Sequence, residues 1–138
     1  MKLIDANIIL YSLGIQHPYK KACGTVLREA ARRSEEYALD AESLQEVLHV
    51  LNRRSKRAEA INQTRELLEA FKLIIPIGQE EIETAIDYFE RYPLLSSRDA
   101  VHTAVVVNHG LEGIVSTDKD FDVIAEIRRF DPMALAGA

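Results

Sequence analysis

The sequence is short of cysteine, of net positive charge and of long apolar runs. One of its 138 residues is cysteine, Cys23. That count excludes an internal disulfide and any zinc site built on several cysteines. Cys23 shares a helical stripe with Val26, Leu27 and Ala30, the setting of a small buried hydrophobe. No apolar stretch is long enough to cross a bilayer, so no membrane association is expected. The opening Met1-Lys2-Leu3-Ile4-Asp5 puts an acid too early for the apolar region of a signal peptide, so a cytoplasmic location is expected. The formal net charge of −5 argues against a broadly basic nucleic-acid binder, although an acidic pocket can coexist with a basic rim. Internal repeats, low-complexity segments and linkers are missing too, so residues 1–138 read as a single domain, long enough for a real core.

What is present is an alternation of two kinds of segment. Short β-rich runs cover residues 2–5, 37–41, 73–77, 113–117 and, more weakly, 128–130. Helical patterns cover residues 18–33, 42–54, 56–72, 80–91 and 96–110. The second helix carries Leu44, Val47, Leu48 and Leu51 on one face, the third Ile61, Leu68 and Phe71, the fourth Ile82, Ala85, Ile86 and Phe89. Pro93 stops the fourth by restricting Tyr92. Ser96 caps the fifth and Gly110 suits its left-handed end. Its Val105-Val106-Val107 run has poor helix propensity, so burial must stabilise it. A short helix over 121–125 and a loose tail over 134–138 complete the expectation. Alternating strands and helices imply an α/β protein with a mainly parallel sheet covered on both faces. Ligands in such sheets bind beyond the carboxyl ends of the strands.

Acids gather at that edge. Asp5 ends the first apolar run and Asp118 ends that of Ile114-Val115-Ser116-Thr117. Asp99 opens the fifth helix. Two carboxylates about 4 Å apart repel by roughly 4 kcal/mol at an effective dielectric near 20. A fold that collects several needs protonation or a cation, and hard Mg²⁺ or Mn²⁺ prefers oxygen ligands. Each acid also has a plainer reading. Asp5 and Asn7 suit a turn or a cap, Asp99 a capping box with Ser96, and Asp118-Lys119-Asp120-Phe121-Asp122 a solvated turn. Glu46 falls with Glu42 and Arg53, away from the leucine stripe, where exposure is expected. His102, one turn after Asp99, reads as a packed neutral histidine that could instead reach the pocket; His17, His49 and His109 show no ligand spacing. Lys21, Arg28 and Arg32 share a helix face, and Arg53-Arg54-Ser55-Lys56-Arg57 forms a basic corner: solvated charge, or contact with phosphates.

Taken together, Leu3-Ile4-Asp5-Ala6-Asn7, Glu46-Val47-Leu48, Ser97-Arg98-Asp99-Ala100-Val101-His102-Thr103-Ala104 and Ser116-Thr117-Asp118-Lys119-Asp120-Phe121-Asp122 resemble the PIN-domain family of metal-dependent nucleases, and within it the VapC toxins. The resemblance spans nearly the whole chain. It implies a three-layer α/β/α sandwich with Asp5, Glu46, Asp99 and Asp118 as catalytic and metal-holding residues for Mg²⁺ or Mn²⁺, oriented by Asn7 and Thr117. It further implies RNA as substrate, a cognate VapB-type antitoxin as partner, and a homodimer. Within the same fold, a housekeeping RNA-processing nuclease or a catalytically silent interaction module remains an alternative. A receiver-type domain is disfavoured because the run 73–77 ends without an acid. A dehalogenase-type phosphatase is disfavoured because Asn7 stands where its general acid would be.

Overall fold

A computed structural model describes residues 1–137. Five short strands form one parallel sheet: β1 (Lys2–Ile4), β2 (Tyr37–Asp40), β3 (Ile74–Ile75), β4 (Gly113–Val115) and β5 (Arg129–Phe130), in the order β3-β2-β1-β4-β5. The register pairs Leu3 with Ala38 on one side and with Ile114 on the other. Helices α1 (Ala6–Leu13), α2 (Lys20–Arg32), α3 (Ala41–Arg53), α4 (Arg57–Ala70), α5 (Gln79–Arg91), α6 (Ser97–Asn108) and α7 (Pro132–Gly137) cover it, with a 3₁₀ turn at Lys119–Val123.

Successive residues of a strand point to opposite faces, and here that alternation builds two cores. Ile4, Leu39 and Val115 face α1–α4 in a cluster with Cys23, Val26, Val47 and Leu51. Leu3, Ala38 and Ile114 face α5 and α6 in a cluster with Tyr88, Ala104, Val105 and Phe121. This is the expected α/β/α sandwich. Val105 and Val106 are buried, which offsets their low helix propensity. Ser96 caps α6 by accepting from the Asp99 N–H, and Gly110 takes φ +61° just past its end. Burial, aided by the nearby Asp131 carboxylate, pushes the Cys23 thiol up to about 11, so it stays an unreactive hydrophobe.

Several helix faces differ from the sequence expectation. In α3, Leu44, Val47 and Leu51 are buried but Leu48 is exposed. In α4 the packed face is Ala60, Thr64 and Leu67, followed by Phe71, while Ile61 and Leu68 point out. In α5 it is Glu81, Ala85 and Tyr88, leaving Ile82, Ile86 and Phe89 about half exposed. These helices carry apolar residues on more than one face. Periodicity counts them all and cannot tell which face the sheet takes up. Residues 134–137, part of the tail expected to be loose, belong to α7, which packs Leu135 and Ala136 against the first core; residue 138 lies outside the described residues.

β1 lies between β2 and β4, and the chain order reverses there. The strand ends of β1 and β4 therefore diverge into helices on opposite faces, and a crevice opens between them. Gly113 makes the β4–β5 pairing possible. A Cβ at that position would sit 2.0 Å from the Arg128 carbonyl oxygen.

Candidate metal centre

Asp5 follows β1 directly and is almost fully buried. Its carboxylate accepts from the Asn7 N–H at 3.3 Å, capping α1, and from Ser116 Oγ at 2.7 Å. Ser116, just past β4, also accepts from Asn7 Nδ2 at 3.2 Å and from the Asp118 N–H at 3.0 Å. One hydroxyl thus ties together the loops after the two central strands. Ser116, rather than the neighbouring Thr117, holds this position.

Asp5, Asn7, Glu46, Asp99 and Asp118 line one open cleft of about 350 Å³ together with Ser96, Ser97 and Arg98. All four acids singled out in the sequence meet there, brought from two strand ends and two helices. Glu46 was expected to be exposed, yet its side chain is only 16% accessible, because α6 carries Arg98 across it. Arg98 Nη1 donates to Glu46 Oε1 at 2.9 Å, and its Nε lies 3.8 Å from Glu42. Asp118 also caps the 3₁₀ turn by accepting the Asp120 N–H at 2.9 Å. Asp122 pairs with Arg129, away from the cleft.

The electrostatics record the crowding. Burial first, then the charges of Asp5 and Asp118, push Asp99 up to about 7. Asp99 and Asp118 are close enough to share a hydrogen bond when one is protonated. Burial and Asp5 also raise Glu46, against the pull of Arg98.

Beneath the acids lies a feature the sequence reading did not foresee. His102 is fully buried, and its Nδ1 donates to Asp40 Oδ2 at 2.6 Å. Asp40 ends β2 and caps α3 through the Ser43 N–H at 2.9 Å. Burial alone would lower the imidazole pKa, but Asp40, Asp5 and Asp99 raise it to about 10. The ring is therefore packed, as expected, and the Asp40 carboxylate at Nδ1 favours its charged form. Its Nε2 has no hydrogen-bond partner and lies 3.8 Å from Asp5 Oδ1. Oxygens of Asp5 and Glu46 and a nitrogen of His102 fall within 4.8 Å of one another. In its protonated form His102 is a countercharge to Asp5, and the hard donors for a cation are the carboxylate oxygens. The signal for Asp40 was its place at a strand end, the criterion that picked out Asp5; the β-rich run drawn over 37–41 extended one residue past it and hid that end.

These residues fit a hard divalent cation. The donors are carboxylates, two of them with raised pKa values that a cation would relieve. The Asn7 amide oxygen is buried at the cleft wall without a donor of its own.

An open parallel α/β/α sheet with a carboxylate cleft at its switch point defines the class, and the sequence defines the family. The PIN domain model matches residues 2–127, and the chain belongs to the PIN-domain family. Among its relatives, Ribonuclease VapC13 of Mycobacterium tuberculosis is 36% identical over 136 residues, covering 94% of this chain and 98% of that protein. The fold is shared with the crystal structure of Mycobacterium tuberculosis VapC20, described as a sarcin-ricin loop cleaving toxin, at TM-score 0.76 and 17% identity, over 91% of this chain and 95% of that one. It is also shared with a toxin–antitoxin complex from Klebsiella pneumoniae, at TM-score 0.69 and 21% identity, over 96% and 98% of the respective chains.

Proposed function

We propose that this protein is a Mg²⁺- or Mn²⁺-dependent endoribonuclease and the toxin of a VapBC-type pair. The observation that carries the reading is the meeting of Asp5, Glu46, Asp99 and Asp118 in one cleft at the sheet's switch point. Ribonuclease relatives at 36% identity over nearly the full length support RNA as the substrate.

In this reading Asp5, Asp99 and Asp118 hold the ion, and Glu46 either ligates it or positions the attacking water. A bound Mg²⁺ or Mn²⁺ would polarise the scissile phosphate and supply a hydroxide nucleophile near neutral pH. The chain does the rest. Ser116 fixes the Asp5 carboxylate, and Arg98 holds Glu46 by Oε1, leaving Oε2 to take a proton from water. Asp40 fixes the His102 ring through Nδ1, which sets its Nε2 3.8 Å from Asp5 Oδ1 beneath the acids.

A cognate antitoxin that blocks the cleft, a homodimer and a cytoplasmic setting complete the proposal. No helix among the described residues is long and apolar enough to cross a membrane. The outward stripe of Ile82, Ile86 and Phe89 on α5 supports pairing with a second copy. The deciding experiment is cleavage of RNA with Mg²⁺ or Mn²⁺ by the parent protein and by Asp5→Asn. Loss of cleavage in a variant with native circular dichroism is expected. Full cleavage by the folded variant would overturn the reading.

A further inference from the structure

Three cavities adjoin one another around the cleft, and the chemistry changes from one to the next. The acidic cleft shares Arg98 with a second cavity of about 390 Å³, lined also by His49, Arg53 and Arg54. That cavity shares Arg54 with a third, of about 500 Å³, where Tyr11, His17 and Lys56 meet. The third returns to the cleft through Asn7, a wall of both. The basic corner at residues 53–57 thus stands beside the acids.

The third cavity is an aromatic shelf. Tyr11 and His17 have ring centroids 4.7 Å apart, and His17 lies stacked on Tyr19 at 5.6 Å with an 18° interplanar angle. The two tyrosines are anchored against the first core. His17 is exposed, and its Nδ1 accepts from the Tyr19 N–H at 3.2 Å, which fixes the ring. Among the described residues neither Arg53 nor Arg54 forms a salt bridge, in contrast to Lys56 with Glu59 and Arg98 with Glu42 and Glu46.

Unpaired cations beside a fixed aromatic surface suit a ligand with both a phosphate and a planar ring. The protein as a whole is negative and the cleft is more so, and both repel a polyanion. Local cations must therefore capture the chain. We propose that the Tyr11–His17 shelf stacks an unpaired base of the substrate while Arg53 and Arg54 hold the phosphates between that base and the acidic cleft. The inference rests on the ribonuclease reading and makes the preferred substrate single-stranded at this flank. A duplex keeps its bases stacked on each other and cannot use the shelf.

The test measures binding of a short unstructured RNA, and of the same sequence as a duplex, to the full-length Asp99→Asn protein, which removes cleavage. His17→Ala and Arg54→Ala, both at exposed positions, are added singly. Each weakens the unpaired RNA about tenfold. Arg54→Ala also reduces the salt slope by about 1, whereas His17→Ala leaves it unchanged. Unchanged affinity in both variants, no binding by the Asp99→Asn protein, or a duplex bound as tightly as the single strand overturns the inference; unchanged affinity would give the shelf to a protein partner. If the RNA binds through the shelf but the parent protein cleaves nothing with Mn²⁺, the ribonuclease reading falls and the binding site stands. If the parent cleaves and His17→Ala and Arg54→Ala bind and cleave alike, only the binding site falls.

Discussion

Arg98 in the first turn of α6 donates to Glu46 in the middle of α3 at 2.9 Å, so a guanidinium occupies one of the four carboxylates of the cleft. A cation that needs Glu46 competes with it. Arg98→Ala should therefore tighten Mn²⁺ binding severalfold, as isothermal titration would report. Weaker Mn²⁺ binding would mean that Arg98 orients Glu46 for the metal instead of competing for it.

Asp99 gives a pH dependence. Its pKa stands near 7 in the folded protein against an ordinary 3.8, raised first by burial and then by Asp5 and Asp118. Between those values the folded state holds a proton that the unfolded chain has lost. Metal-free stability should thus fall as pH rises through that window. Metal binding must expel the proton, so Mn²⁺ should raise the melting temperature more above pH 7 than below it. Asp99→Asn should flatten both trends in thermal melts with EDTA and with Mn²⁺.

The Asp40–His102 pair predicts the same sign in a higher pH window. His102 is raised from 6.5 to about 10, so its contribution is fully present below 6.5 and is lost as pH rises through 10. Breaking a buried pair costs about 3 kcal/mol. Asp40→Asn should lose roughly that much in urea denaturation at neutral pH. Its deficit relative to the parent should shrink as the solution is made alkaline.

Ser116 joins the loops after β1 and β4 through hydrogen bonds to Asp5, Asn7 and Asp118. Residues that orient metal ligands are commonly worth ten- to a hundred-fold in affinity. Ser116→Ala should weaken Mn²⁺ binding by about tenfold while circular dichroism stays native. An unchanged Kd would show that Asp5 is held well enough by its own place after β1.

Gly113 supplies a test of the sheet. Its missing Cβ leaves room for the Arg128 carbonyl, which a methyl group would meet at 2.0 Å. Gly113→Ala should cost at least about 3 kcal/mol, since backbone must move. Hydrogen exchange should rise in β5 before β1.

The strands and their acids were legible because two local signals coincide there: a short apolar run, then a carboxylate where the run stops. Asp5 and Asp118 carry both. Glu46 carries neither, and its partial burial arises only when α6 brings Arg98 over α3, a contact between residues 52 positions apart. His102 was noticed but its partner was not, because Asp40, which favours the charged ring, stands 62 positions away. The helix faces failed for a different reason. Residues such as Ile82, Ile86 and Phe89 satisfy helical periodicity equally well toward the sheet or toward a partner.

The link between Asp5 and Ser116 spans 111 positions of sequence. Early segments of a growing chain hold Asp5 and Glu46, but they lack β4 and the hydroxyl that closes the cleft. Long-range pairing of this kind forms late, because loop closure must come before any contact repays it. The four carboxylates therefore come together only after residues 113–118 have emerged and docked beside β1, so a partly made chain carries no complete cleft.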